Sequence, residues 1–236
     1  MKYLAFIWSP GRSAPEELAV MRAELPGYIE EMERRGVRLL GRELDLPETA
    51  AIVRVRDGEP LVTDGPFAET KEFIAGFDVL ECADLDEALE VAAKHPSSWF
   101  AAIEVRPFHG GVQLGEKAPA FGRLDDSAGT AYMLAAWTGG SSADDQIDEV
   151  SAWRQDVRAL GVHVLGNALE GADTATTVRV RDGQTQLAAG PATGTGTFVA
   201  SIDVVNCADR QQAIELAAAH PMARDHAIEV RPFYSE

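Results

Sequence analysis

The sequence predicts an α+β protein made of two copies of a strand–helix–strand–strand–helix–strand unit, packed sheet to sheet. Three observations carry this. Segments of the first half recur 125 residues later: Val53-Arg-Val-Arg-Asp-Gly58 as Val178-Arg-Val-Arg-Asp-Gly183, His95-Pro96 as His220-Pro221, and Ile103-Glu-Val-Arg-Pro-Phe108 as Ile228-Glu-Val-Arg-Pro-Phe233. Strand-like and helix-like periodicities alternate in the same order in both copies. The strands are apolar on both faces, although a copy's own two helices can cover only one, so the second face calls for the other copy's sheet.

Lys2–Trp8 has strand composition, and Ser9-Pro-Gly-Arg-Ser-Ala-Pro15 after it is a loop. From Glu16 to Arg35, Leu18, Met21, Leu25, Ile29 and Met32 recur at spacings of three and four, which defines an amphipathic helix. Pro26 predicts a kink in it, and Gly36 closes it. Val37–Glu43 and Ala50–Arg56 read as the next strands; the pair Leu61-Val62 leads into a turn at Asp64, and Phe73–Cys82 follows as a strand. Asp84 with Glu87 makes a capping box ahead of the stripe Leu85, Ala88, Leu89 and Ala92, and Asp209 with Gln212 repeats it. Ala101–Pro107 is the last strand, completing a ferredoxin-like βαββαβ order. In Phe73–Cys82, Phe73, Ala75, Phe77 and Val79 oppose Ile74, Gly76, Asp78, Leu80 and Cys82; in the first strand Tyr3, Ala5 and Ile7 oppose Leu4, Phe6 and Trp8. Residues 1–109 thus form the first repeat, 110–129 a linker rich in Gly and charge, and 130–236 the second repeat, in which Tyr132–Trp137 restarts the strand and Asp144–Leu160 the helix.

With 38 acids against 21 Lys and Arg, the net charge of −17 repels phosphate backbones and excludes nucleic acid as a partner. The apolar run Met1–Trp8 is too short for a signal peptide or a membrane span, so a cytoplasmic protein without a membrane partner is expected. Cys82 and Cys207 occupy equivalent places before an Asp and read as small buried residues or as a disulfide or redox pair. No metal-ligand spacing is present.

The densest cluster of reactive groups is Asp64-Gly-Pro-Phe-Ala-Glu-Thr-Lys-Glu72. Its counterpart, Ala189-Gly-Pro-Ala-Thr-Gly-Thr-Gly-Thr197, keeps the turn but has lost the acids and the lysine. Asp64 is either a turn cap or a general base, and Lys71 either a solvated lysine or the group that holds an anion. Glu72 points to the side opposite Lys71 and is the second candidate for moving a proton. His95, at the end of a helix in both copies, either meets the helix carbonyls or joins the catalytic set. Glu104 and Arg106 share a strand face and suit an ion pair with each other or with a partner across the sheet, in common with Glu229 and Arg231. Asp78, alone on an apolar strand, needs an Arg, His or backbone donor, or a cleft. Phe67, Asp78, Glu104 and Arg106 are the candidate substrate contacts; Asp64, Lys71, Glu72 and His95 are the candidate catalytic groups.

The Asp64-Gly-Pro-Phe67 tetrapeptide, the Lys71-Glu72 pair, His95-Pro96 and Glu104-Val-Arg-Pro107, in that order, resemble the YCII-related superfamily and its DGPF-domain branch. The resemblance implies a dimeric α+β barrel, here formed within one chain as a pseudo-dimer. It also implies one of two functions. One is a cofactor-independent acid–base enzyme, similar to lyases or dehydrochlorinases, acting on a small-molecule ligand beside the Asp64–Glu72 turn. The other is a regulatory protein whose partner is a sigma factor of the extracytoplasmic-function type, since DGPF members are often encoded beside such factors. The second copy departs from the motif at Ala189, Ala192, Gly196 and Thr197, which puts its share in any chemistry in doubt.

Overall fold

The computed structural model describes residues 1–11, 14–67, 72–114, 129–139, 146–194 and 196–234. Lys71 and most of the linker therefore lie outside the described residues. The first repeat runs β1 (Lys2–Ser9), α1 (Pro15–Arg34), β2 (Arg38–Glu43), β3 (Ala51–Arg56), β4 (Glu59–Asp64), β5 (Phe73–Glu81), α2 (Leu85–Lys94) and β6 (Ala102–Pro107). After the short β7 (Gln113–Leu114), the second repeats it as β8 (Thr130–Thr138), α3 (Ile147–Ala159), β9 (His163–Ala168), β10 (Thr176–Arg181), β11 (Gln184–Ala189), β12 (Phe198–Cys207), α4 (Arg210–Ala219) and β13 (Ala227–Pro232). Helix α1 runs as one continuous element through Pro26. The predicted capping boxes are present: Asp84 accepts from Glu87 N at 3.0 Å, and Asp209 from Gln212 N at 2.9 Å.

Each repeat contributes a four-stranded core, β6-β1-β5-β2 and β13-β8-β12-β9. The structure adds a feature that local sequence does not contain. The hairpins β3–β4 and β10–β11 turn on Asp57-Gly58 and Asp182-Gly183, both residues of each pair having positive φ, the geometry that a two-residue hairpin favours. Each hairpin leaves its own repeat: β3 pairs with β13 and β10 pairs with β6, both antiparallel. The acceptor strands carry the same sequence, Ala-Ile-Glu-Val-Arg-Pro. Two sheets result, β11-β10-β6-β1-β5-β2 and β4-β3-β13-β8-β12-β9-β7, each containing strands of both repeats.

The sheets face each other as their two apolar faces require. Leu4, Phe6, Trp8, Phe77 and Val79 of the first pack with Met133, Ala135, Trp137, Ile202 and Val204 of the second in one buried core between the sheets. The opposite faces pack under the helices: Tyr3, Ala5 and Leu80 with α1 and α2, and Tyr132, Leu134 and Val205 with α3 and α4. Backbone bonds also stitch the sheets at their edges, Asp45 N to Pro232 O and Glu170 N to Pro107 O, each at 3.0 Å. Cys82 and Cys207 are free and buried, and burial raises their thiols to about 11 and about 12, which keeps them protonated. Among the described residues, no helix is long and apolar enough to cross a membrane.

Candidate functional site

The described part of the Asp64–Glu72 turn forms a joint between the repeats. Asp64 is exposed and pairs with Arg210 of α4 at 2.8 Å. Phe67 stacks on Trp137 of β8 with ring centres 5.0 Å apart, and the Arg54 guanidinium lies 5.5 Å from its ring centre. Glu72 reaches Arg179 of β10 at 4.0 Å. Every one of these contacts except that with Arg54 crosses to the other half of the chain.

Glu104 and Arg106 lie on the face of β6 that is turned toward the second sheet, because they pair in register with Phe6 and Leu4. They form a fully buried ion pair. Arg106 donates to Val199 O at 2.7 Å, and Glu104 accepts from Ala192 N at 3.0 Å, both across the repeats. Glu229 and Arg231 repeat the arrangement: Arg231 donates to Ile74 O at 2.6 Å, and Glu229 accepts from Phe67 N at 3.5 Å and Trp137 Nε1 at 3.0 Å. Each buried charge is matched by an opposite charge and further hydrogen bonds, the condition for tolerating it in a core.

Asp78 and His95 meet elsewhere, on the helix-facing side of the first sheet, at a cavity of about 520 Å³. That volume falls in the range of small-molecule sites. Neither Asp64 nor Glu72 lines it. Asp78 lies across Gly41 of the neighbouring strand, where a Cβ would overlap its Oδ1 and Arg38 Nη2. It accepts from Arg38 Nε at 2.9 Å and from the Tyr28 hydroxyl of α1 at 3.1 Å. Burial and the Asp78 charge together push the Tyr28 hydroxyl well above its ordinary pKa, so it remains a donor. His95 ends α2 and is 5% exposed. Its Nδ1 accepts from Ser97 N at 3.1 Å, and burial lowers its pKa, so the ring is neutral with its proton on Nε2. The wall opposite is the apolar stripe of α1: Leu18, Met21, Leu25 and Ile29. Tyr234, from the end of the second repeat, also lines the cavity, and its backbone N–H bonds Glu43 O at 3.0 Å. The site is therefore built from both halves.

The YCII-related domain family matches residues 1–109 and 130–235, nearly the whole chain. The chain belongs to the YCII-related family. A curated relative, the uncharacterized protein R00369 of Rhizobium meliloti (strain 1021), is 49% identical over 67 residues, 26% of this chain. The match spans 52% of that protein, about half its length. Among solved structures, an anthrone oxidase-like protein is similar over 99% of this chain and 91% of its own, with a TM-score of 0.39 and 7% identity. A putative chlorite dismutase, TA0507, is similar over 99% and 95%, with a TM-score of 0.37 and 10% identity.

The two YCII-related repeats treat the same strand aspartate differently. Asp203, the counterpart of Asp78, is held by Arg154 through Nε at 2.7 Å and Nη2 at 2.9 Å, and by His163 at 3.1 Å. Burial pushes the Asp203 carboxyl up, but Arg154 and the hydrogen bond from His163 outweigh it and bring it down to about 2. Arg154 stands at the place of Ile29, and His163 at that of Arg38. One guanidinium serves each carboxylate in both repeats; it comes from the helix in the second and from the strand in the first. With the cation on the strand, the helix position in the first repeat is an aliphatic residue facing open space. Sequence reasoning reached Asp78 and His95 but not Tyr28, Arg38 or Tyr234. The signal for Arg38 was available in the paired exchange Ile29/Arg154 and Arg38/His163 at fixed spacing.

Proposed function

We propose that this YCII-related protein is an acid–base enzyme acting on a small organic molecule in the cavity between α1 and the first sheet. The observation that carries this is a carboxylate, a tautomer-locked imidazole and a ligand-sized cavity converging in one repeat, while in the other the helix position facing the carboxylate carries an arginine. Asp78 is the proton acceptor. Arg38 and Tyr28 each occupy one lone-pair site on its oxygens, and an ionised carboxylate has about four, so acceptor capacity remains. His95, fixed as an Nε2 donor, supplies a hydrogen bond to an oxygen on which negative charge develops. The reaction class that fits is proton removal from carbon beside a carbonyl, as in an isomerisation or elimination. The second repeat acts as scaffold and closes the site with Tyr234.

Proton NMR in D2O tests this with a panel of small ketones and lactones, following protein-dependent exchange of carbon-bound hydrogen. Exchange should appear with the native protein and with Asp64→Asn, and should be lost in Asp78→Asn and slowed in His95→Gln. Because Asp78→Asn also unpairs Arg38, circular dichroism of each variant accompanies the rates. Exchange that persists in a folded Asp78→Asn variant defeats the assignment.

A further inference from the structure

We propose that the first-repeat cavity selects a neutral, largely apolar molecule bearing one hydrogen-bond-accepting oxygen, an inference that rests on the site reading above. The charged residues lining the cavity are Arg38, Arg42, Glu43 and Asp78, two cations and two anions. Their charges sum to zero, and the buried pair, Arg38 and Asp78, is made before any ligand enters. Arg38 is bonded to Asp78 and also lies 3.5 Å from Glu33, and the Arg42 guanidinium sits 5.8 Å from the centre of the Phe233 ring. Glu43 lies at the exposed rim, with Arg22 as its nearest opposing charge.

The two repeats draw the aspartate's cation from different elements. The second repeat satisfies its aspartate with a guanidinium from the helix, and the first satisfies the same carboxylate from β2. A ligand entering the first repeat therefore takes up the space that Ile29 leaves without having to supply the charge that Arg154 supplies in the second. What it meets is the hydrocarbon of Leu18, Met21, Leu25, Ile29, Phe77 and Phe100, with the His95 edge beside it. An ionic ligand would have to shed water in a lining whose charges cancel and whose buried pair, Arg38 and Asp78, is already made, a transfer that strongly disfavours the charged form.

The test uses the full chain and a fluorescent neutral probe, N-phenyl-1-naphthylamine, displaced by three competitors of one shape: 1-naphthol, 1-naphthoate and 1-naphthylmethylammonium. The expected result is displacement by the naphthol at concentrations at least about tenfold below those needed by either ion. Binding should be lost when the space is filled in two chemically different ways, Ile29→Arg and Leu25→Trp. Equal or tighter binding of either ion overturns the inference, as does probe binding that survives both fillings or a failure of the probe and naphthol to bind at all. In each of these cases, proton exchange that depends on Asp78 would leave the site reading standing, whereas loss of that exchange from the native protein removes the reading itself.

Discussion

Moving the cation of the first repeat from strand to helix tests how the cavity arose. Arg38 and Asp78 are bonded at 2.9 Å with both side chains about 5% exposed. In the double variant R38H/R42N the carboxylate keeps Tyr28 but exchanges its guanidinium for an imidazole, which reaches the equivalent Asp203 at 3.1 Å in the second repeat, so the cost is at most about 3–5 kcal/mol, that of breaking a buried pair. Adding I29R places an arginine where Arg154 stands in the second repeat, within reach of a carboxylate and of an asparagine corresponding to Asn167, which Arg154 contacts at 3.1 Å. The triple variant I29R/R38H/R42N should therefore recover at least about 2 kcal/mol relative to the double, within the coupling range of residues in direct contact. Urea-unfolding midpoints at unchanged m-value give the difference, and the neutral probe reports the cavity. The triple variant should be the more stable protein and should no longer bind the probe. If I29R adds no stability to R38H/R42N, or if the triple variant binds as the native protein does, the two repeats do not exchange one cation for another and the argument fails.

Acid should weaken the fold in two stages. Burial lowers His220 to about 4, so stability is full above the unfolded value of 6.5 and falls as pH drops from there toward 4, where the unfolded state alone takes up the proton. Asp203, held at about 2 against an ordinary 3.8, adds a second loss between about pH 4 and 2, on the order of 2 kcal/mol. His220→Gln should remove much of the first stage in a urea titration across pH, and a stability that rises on acidification contradicts both. Residues 1–109 alone should form a homodimer rather than a folded monomer, because β6 has the sequence of β13 and can accept a partner's β3. Sedimentation of that fragment decides it, a compact monomer being the adverse result. Tyr234→Ala keeps the backbone bond to Glu43 and should weaken probe binding by ~5-fold, the loss of about 1 kcal/mol of apolar contact, with an unchanged melting temperature. Unaltered affinity would exclude Tyr234 from the site.

The duplication, the capping boxes and the two-faced strands are legible in the sequence because each is local: a repeat offset, a spacing of three residues, an alternation of two. Tyr3, Ala5 and Ile7 do face the helices, and Leu4, Phe6 and Trp8 the other sheet. The hairpin exchange is not local. The alternation in Ala51–Arg56 shows that a strand is present but not which repeat supplies its partner, and every residue of Glu59–Asp64 is exposed, which leaves no core-facing pattern to read. The cavity is hidden for a similar reason, since Leu18, Met21, Leu25 and Ile29 make the same apolar stripe whether they pack against a sheet or line a space beside it. Asp78 and His95 were its visible signs. An acid in an apolar strand requires a partner, and that partner, Arg38, sits at the start of a strand where a polar residue draws no notice. The Asp64–Glu72 turn drew attention by its density of charge, yet Asp64 and Glu72 make their ion pairs with the other repeat, and Lys71 lies outside the described residues.

Photolabelling separates a site under α1 from one at that turn. A neutral naphthyl diazirine irradiated with the full chain and mapped by peptide mass spectrometry should mark the segments spanning Leu18–Ile29 and His95–Ala101, with labelling suppressed by excess 1-naphthol and by Leu25→Trp. Labels concentrated between Asp64 and Glu72, or spread over the surface without competition, would contradict a ligand site between the first helix and its sheet.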